Sequence, residues 1–180
     1  MKILPYILIL IFSTGVVAQK YEVDPSQSSI LILGTSSLHD WESEVKNYKV
    51  TLITGSENSL NVNIVSESIK SGKGIMDDKT YEALQSKKFP HIIFTSTNVL
   101  LDGNQITAKG ILNLAGANNE ITIQSDLVRQ GDILKVTGEK KLKMTDFQIE
   151  PPTAMFGSLV TGDEVTIQFE LELKPFFTYK

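Results

Sequence analysis

Alternation of apolar and polar residues along most of the chain predicts a succession of β-strands. In the last segment, Val165, Ile167, Phe169, Leu171 and Leu173 alternate with polar residues. Comparable segments occupy 28–35, 41–53, 60–64, 92–101, 106–114, 121–127 and 134–138. Several run to nine or ten residues, longer than the typical strand of roughly 5–6, and this length favours a closed barrel over a sandwich. We therefore predict an all-β, eight-stranded antiparallel barrel with one apolar and one polar face on each strand.

Local departures from the alternation predict turns and a bend. Asp102-Gly103-Asn104 is a hairpin signal, and the apolar phase shifts by one residue near Lys46-Asn47, where we predict a bend. A turn over 115–119 would place Leu114 opposite Ile121 and Gly110 opposite Ser125. A second turn over 130–132, with a bulge at Gly131, would bring Ser125 beside Val136 or Gly138.

One stretch, 71–94, predicts the single helix of the chain. We predict that Asp77 caps it, since a carboxylate accepts hydrogen bonds from first-turn amides, and that Met76 and Tyr81 form a hydrophobic staple. Tyr81 and Leu84 share a face, and Pro90 prevents continuation. A short helix between long strands is a plug or lid for the barrel, or a helix that completes its core.

The first 18 residues predict a secretory signal peptide. Lys2 precedes the apolar run 3–12, and Val16-Val17-Ala18 is a small-residue cleavage signal. Cleavage after Ala18 would leave residues 19–180 as one barrel domain in the periplasm or secreted. The chain has no cysteine, which excludes disulfides, thiol chemistry and lipid attachment through cysteine.

Composition argues against nucleic acid as a partner. Without Lys2 the chain has 16 basic residues (17 minus 1) and 21 acidic ones, a balance of −5. The charges are scattered and Arg129 is the one arginine, whereas binding to phosphate backbones needs clustered lysine and arginine. We also expect no stable membrane insertion, and leave a homodimer open.

Candidates for catalysis or metal binding are few. The two histidines, His39 and His91, lie far apart in sequence, and His39-Asp40 is better explained as a turn whose side chains bond local backbone. Asp77-Asp78 is explained by helix capping. We therefore predict no catalytic residue, no metal site and no cofactor.

Two groups of residues indicate an interior that could hold a ligand. Small residues on the apolar faces of adjacent strands would leave volume unfilled: Ala108, Gly110, Ser125 and Gly138. Large adaptable side chains follow in the segment 144–162, namely Met144, Phe147, Met155 and Phe156. The alternative for this second group is ordinary core packing at a barrel end.

Ordered motifs along the chain resemble one family. They are Tyr21 to Pro25 with Ser28, Gly72 to Asp77 through Phe89-Pro90, Lys143 to Phe147, Pro151 to Gly157 and Thr161 to Val165. Together they resemble YceI-like proteins over essentially the whole chain after residue 18. The turn His39-Asp40-Trp41-Glu42 departs from the glycine and phenylalanine pattern of much of that family.

The resemblance implies an exported, lipocalin-like barrel that holds a long apolar chain, typically a polyisoprenoid or isoprenoid quinone. The expected ligand-binding residues are the two groups above together with Met76, Tyr81, Leu84 and Phe94. The alternatives are an isomerase or cyclase that uses the same barrel on a similar lipid, and a filled barrel that acts as an interaction protein.

Overall fold

Residues 18–154 and 157–176 are described by the structure, a computed structural model. In these ranges the chain forms twelve β-strands and one α-helix, and three short 3₁₀ turns at 25–27, 66–68 and 144–147. The helix is α1 (Gly74–Ala83). The strands are β1 (Gln19–Val23), β2 (Ser29–Ser36), β3 (Trp41–Val45), β4 (Tyr48–Thr54), β5 (Ser59–Val65), β6 (Ile69–Lys70), β7 (His91–Asp102), β8 (Gln105–Leu114), β9 (Ala117–Gln130), β10 (Ile133–Lys143), β11 (Thr153–Ala154) and β12 (Leu159–Pro175).

Of the twelve strands, all but β11 make up a barrel of eight strands, and β11 lies outside it. Three of the eight barrel strands are bent, and each of these three is divided into two of the twelve. β1 and β2 are interrupted at 25–27, β3 and β4 at Lys46-Asn47, and β5 and β6 at 66–68. All pairings are antiparallel, and β12 pairs with β1 and β2, which closes the ring. The predicted eight-stranded antiparallel barrel is confirmed, and so is the bend at Lys46-Asn47.

The hairpins fix the register of the central strands. The hairpin predicted at 102–104 is present, and Asp102 pairs with Gln105 across it. Ser125 pairs with Gly138, one of the two predicted alternatives, but Gly131-Asp132 is a two-residue turn without the predicted bulge. The predicted turn over 115–119 is wrong. Leu114 pairs with Ala117, so Gly110 lies opposite Ile121 and Ser125 opposite Ile106.

The predicted start of the helix is also wrong. Lys73 is the N-cap residue, and its carbonyl accepts hydrogen bonds from the amides of Met76 and Asp77, 2.9 and 3.0 Å away. The N-cap therefore lies four residues earlier than the predicted N-cap, Asp77. With this start, Met76 and Tyr81 do not occupy the positions of a hydrophobic staple. The Asp77 carboxylate instead accepts hydrogen bonds from Ser71, in the segment that leads into the helix.

Burial along the inward faces differs between the two ends of the barrel. At the end of the hairpins after β4, β7 and β9, Leu52, Leu127, Leu134 and Leu173 are at most 2% exposed. At the opposite end, beside α1, inward residues such as Ile64, Ile92, Ile121 and Leu142 are only partly buried. The barrel is therefore closed by packed leucines at the hairpin end and less tightly packed at the helix end.

Candidate ligand-binding cavity

A cavity of about 650 Å³ occupies the barrel interior. Its walls are formed mainly by aliphatic side chains on the inward faces of the strands, with two phenylalanines among them. Representative wall residues are Val62, Phe94, Ile123, Leu142, Ile167 and Phe169. Small-molecule sites in proteins are usually apolar cavities of about 300–1,000 Å³, so both volume and lining suit an apolar ligand.

The cavity opens beside α1. Ile75 lines the cavity and is nevertheless 84% exposed, so it marks the point where the interior meets solvent. Met76, Thr80 and Leu84 continue the lining along the helix. We call this end the mouth, formed by α1, the β2–β3 turn (36–41) and the β8–β9 turn (115–116).

Tyr81 fastens the helix to the barrel at the mouth. Its hydroxyl lies 2.9 Å from the carbonyl oxygen of Glu67 and 3.1 Å from that of Ile69, and it accepts a hydrogen bond from the Lys70 ammonium. Tyr81 therefore anchors α1 to the barrel and does not line the cavity, although it was predicted as a ligand-binding residue.

A second contact holds the chain that enters the helix. The Ser71 hydroxyl and amide donate to Asp77 Oδ1 over 2.6 and 2.8 Å. These hydrogen bonds hold the pKa of the Asp77 carboxyl below its ordinary value. The carboxylate that resembled a helix cap thus fixes the approach to the helix, and we assign it no catalytic role.

The β2–β3 turn forms the other side of the mouth. Trp41 Nε1 donates to the Thr35 carbonyl over 3.0 Å, and its indole lies against Gly34, where an added Cβ would sit 2.2 Å from Trp41 Cζ2. His39 Nδ1 donates to the Asp40 carbonyl over 2.7 Å. His39 is thus bonded to local backbone as predicted, and both His39 and Trp41 line the cavity.

Half of the predicted ligand-binding residues line the cavity. They are Met76, Leu84, Phe94, Ala108, Ser125 and Met144. Two further predictions, Met155 and Phe156, lie outside the described residues. The remaining four predicted residues do not line the cavity: Tyr81, Gly110, Gly138 and Phe147. Tyr81 anchors the helix, and the two glycines and Phe147 are absent from the lining for two other reasons.

Two glycines are absent from the lining because neighbours occupy the space beside them. A Cβ on Gly110 would lie 2.3 Å from the Thr95 carbonyl oxygen, at an irregularity where the β7–β8 register shifts. A Cβ on Gly138 would lie 2.9 Å from the Phe169 ring.

Phe147 is 2% exposed and belongs to the packed core, so the core-packing alternative holds for this residue.

The lining includes many residues that were not predicted to bind the ligand, and three of them stand out: Trp41, Ile75 and Lys140. Only Lys140 had a usable signal. The inward face of β10 runs Leu134, Val136, Gly138, and extending the alternation by two residues reaches Lys140.

Among the described residues, the ionisable ones that line the cavity are all basic: His39, Lys73, Lys79 and Lys140. Within residues 18–154 and 157–176, no group of three or more His, Asp or Glu side chains is placed to hold a metal ion. In that same part of the chain, no helix combines the length and apolar character needed to cross a membrane.

Fold and cavity together define a class: a lipocalin-like antiparallel barrel with an apolar interior that opens at a helix-covered end. Comparison with known proteins agrees. The family model described as "YceI-like domain" matches residues 21–173. Protein YceI of Salmonella arizonae is 29% identical over 159 residues, which cover 78% of this chain and 82% of that protein.

Two solved structures share the fold. The crystal structure of Burkholderia cenocepacia BcnA has a TM-score of 0.74 at 20% identity, with 83% of this chain and 98% of that chain covered. A polyisoprenoid binding domain from Saccharophagus degradans has a TM-score of 0.71 at 16% identity, covering 87% and 98%. Because the family model matches residues 21–173, the chain belongs to the YceI-like family.

Proposed function

We propose that this protein binds a long apolar chain, of the polyisoprenoid or isoprenoid quinone type, inside the barrel and carries or sequesters it. The observation that supports this most directly is the cavity of about 650 Å³ with its aliphatic walls. The likeness to a domain that is described as polyisoprenoid binding adds to it.

The size of the cavity limits the length of chain that fits. At about 30 Å³ for each water-sized unit, a volume of about 650 Å³ holds about 20 non-hydrogen atoms. Burying that many carbons at about 0.8 kcal/mol each gives a gross gain of about 16 kcal/mol. Association costs about 4–15 kcal/mol, and with a mid-range cost of about 9.5 kcal/mol the remaining binding free energy of about 6.5 kcal/mol corresponds to a Kd of about 20 μM.

The proposed action is binding without catalysis. His91 lies on the outer surface, where its Nδ1 is 2.9 Å from Asn63 Oδ1, and His39 is engaged with backbone in the β2–β3 turn. We assign no residue to acid–base, nucleophilic or metal chemistry. A lipid recovered with unchanged mass, chromatographic retention and NMR spectrum after prolonged incubation with the protein supports this assignment, and its conversion to a product, including an isomer of the same mass, contradicts it.

Mass spectrometry of an organic extract of the purified protein tests the proposed binding. We expect one lipid with a long apolar chain in near-stoichiometric amount, and binding of an apolar fluorescent probe after delipidation. Absence of lipid in the extract, together with no probe binding by the delipidated protein, would contradict the proposal.

We further propose that the protein is exported. This proposal rests on the signal-peptide pattern of Lys2, the apolar run 3–12 and the small-residue cleavage signal Val16-Val17-Ala18. The intact mass of protein from the cell envelope or medium should correspond to a chain that begins at Gln19, allowing for cyclisation of that glutamine. Full-length protein confined to the cytoplasm would refute export and leave the binding proposal intact.

A further inference from the structure

Lys140 is a charged residue on the inward face of β10. It pairs with Ile167 of β12, follows Gly138 by two residues and precedes Leu142 by two, and it lines the cavity with Ile167 and Leu142. Its side chain therefore starts from the barrel wall and not from the exposed helix at the mouth.

Within the described part of the chain, Lys140 has no ion-pair partner, in contrast to Lys135 and Lys141 on the same strand. Lys135 Nζ lies 3.8 Å from Glu172 and Lys141 Nζ lies 3.4 Å from Glu164, both on the outer face. Among the residues that the structure describes, no carboxylate oxygen lies within 4.0 Å of Lys140 Nζ, and no Asp or Glu lines the cavity. A cation beside apolar walls is costly unless a partner of opposite charge is present.

A hydroxyl lies on the same wall. The β9–β10 ladder ends at the pair Ser125 and Gly138, and the Ser125 side chain lies over Gly138, where an added Cβ would be 3.0 Å from Ser125 Oγ. Ser125 lines the cavity and is 8% exposed. Two residues of strand separate Gly138 from Lys140, about 7 Å, a distance that the lysine side chain can span.

The other two lysines of the lining are placed differently. Lys73 and Lys79 are exposed at the mouth, and Lys79 Nζ is already 2.8 Å from Glu82. They add positive potential where a ligand enters, which favours the approach of an anion. Of the three lysines in the lining, Lys140 is the one that lies on a barrel strand.

We infer that the ligand of the proposed binding function carries an anionic head group, a phosphate or a carboxylate, and that Lys140 binds it with the Ser125 hydroxyl as a second donor. This inference rests on the proposed function and narrows it. A neutral quinone head group would leave Lys140 without a counter-charge, whereas a phosphate or carboxylate supplies one through a charge-assisted hydrogen bond.

Two matched pairs of probes test the inference: farnesyl phosphate against farnesol, and palmitate against hexadecanol. Each chain has about 15–16 carbons, within the capacity of about 20 non-hydrogen atoms. Binding is measured by displacement of an apolar dye from delipidated protein, below the concentration at which the probes form micelles. We expect at least one anionic probe to bind about tenfold or more tightly than its alcohol, and the preferred anion distinguishes phosphate from carboxylate.

Two variants locate the effect. Lys140→Met keeps the length of the side chain and removes its charge, and should abolish the preference while keeping affinity for the alcohols, which also shows that the cavity is intact. Lys141→Met removes the neighbouring outward charge and should keep the preference. Equal binding of acids and alcohols by the unmodified protein, or a preference retained in Lys140→Met, overturns the inference. Failure of all four probes to bind contradicts the proposed function instead.

Discussion

Ala108→Phe separates a hollow barrel from a filled one. Ala108 is 2% exposed and lines the cavity from β8. The substitution adds six carbons, and at about 30 Å³ each they occupy about 180 Å³, more than a quarter of the cavity of about 650 Å³. A ligand that fills the cavity would then have six carbons that can no longer be buried, which lowers the binding free energy by up to about 5 kcal/mol. If three of these carbons are buried elsewhere in the cavity, the affinity still falls about fiftyfold.

The stability of the delipidated protein should move differently in the two cases. In a hollow barrel the new ring buries apolar surface without strain, so the melting temperature stays constant or rises. In a filled core it would overpack, at a cost of roughly 1–3 kcal/mol, or roughly 2–4 °C for each kcal/mol in a domain of this size. The matched control is Lys109→Phe, which adds the same ring to the outer face and breaks only an exposed ion pair with Glu120.

Thermal unfolding of delipidated protein and lipid content by extraction are measured on all three proteins. We expect loss of lipid without loss of stability in Ala108→Phe, and retained lipid in Lys109→Phe. A sharply lower melting temperature with undiminished lipid in Ala108→Phe would refute the hollow-barrel reasoning.

Three further predictions concern the mouth of the barrel and the ion pair between Asp24 and Lys174. Gly34→Ala should displace the single tryptophan, since the new Cβ would lie 2.2 Å from Trp41 Cζ2, at a cost of roughly 1–3 kcal/mol; unchanged tryptophan emission and melting temperature would contradict this. Tyr81→Phe removes the hydroxyl that anchors α1, at a cost of about 0.5–1.5 kcal/mol. Amide hydrogen exchange should become faster in residues 74–83 and stay unchanged in β8. Equal exchange rates in residues 74–83 of the variant and the unmodified protein would contradict the anchoring role. The hydrogen bond from Lys174 lowers the pKa of Asp24 to about 2. Its ionised carboxylate therefore stabilises the folded protein above the ordinary pKa of 3.8, and this stabilisation is lost as the pH falls toward about 2. Asp24→Asn should reduce the dependence of the unfolding free energy on pH in this range, and an unchanged dependence would contradict the stabilising role of Asp24.

Alternation was enough to predict the barrel strands, and a phase shift was enough to predict the bend at Lys46-Asn47, because side-chain direction in a strand has period two. The turn over 115–116 could not be predicted in the same way. Ala115 adopts φ +49° and Gly116 φ +84°, a left-handed pair that usually begins with Asn or Asp. Without that signal the longer turn fitted the sequence better, and the register of β8 against β9 shifted with it.

The start of the helix shows a second limit of sequence reasoning. An acidic residue before an apolar periodic segment is a capping signal, and Asp77 fits it. The carboxylate instead accepts hydrogen bonds from Ser71, while Lys73 caps the helix through its backbone alone. Capping through the backbone leaves no side-chain signature, so the sequence alone indicates the nearest acidic residue instead.

A small residue in a strand does not by itself predict empty space. Gly110 and Gly138 were predicted to line the cavity, yet the Thr95 carbonyl and the Phe169 ring approach them closely, while Ala108 and Ser125 do border open volume. An eight-stranded barrel is just wide enough for side chains to fill it or to hold one small ligand. Which of the two occurs depends on the summed volume of side chains that meet across the ring, and aliphatic residues dominate the lining here. The cavity is therefore a property of the closed ring, and it becomes visible only when the register of all eight barrel strands is known.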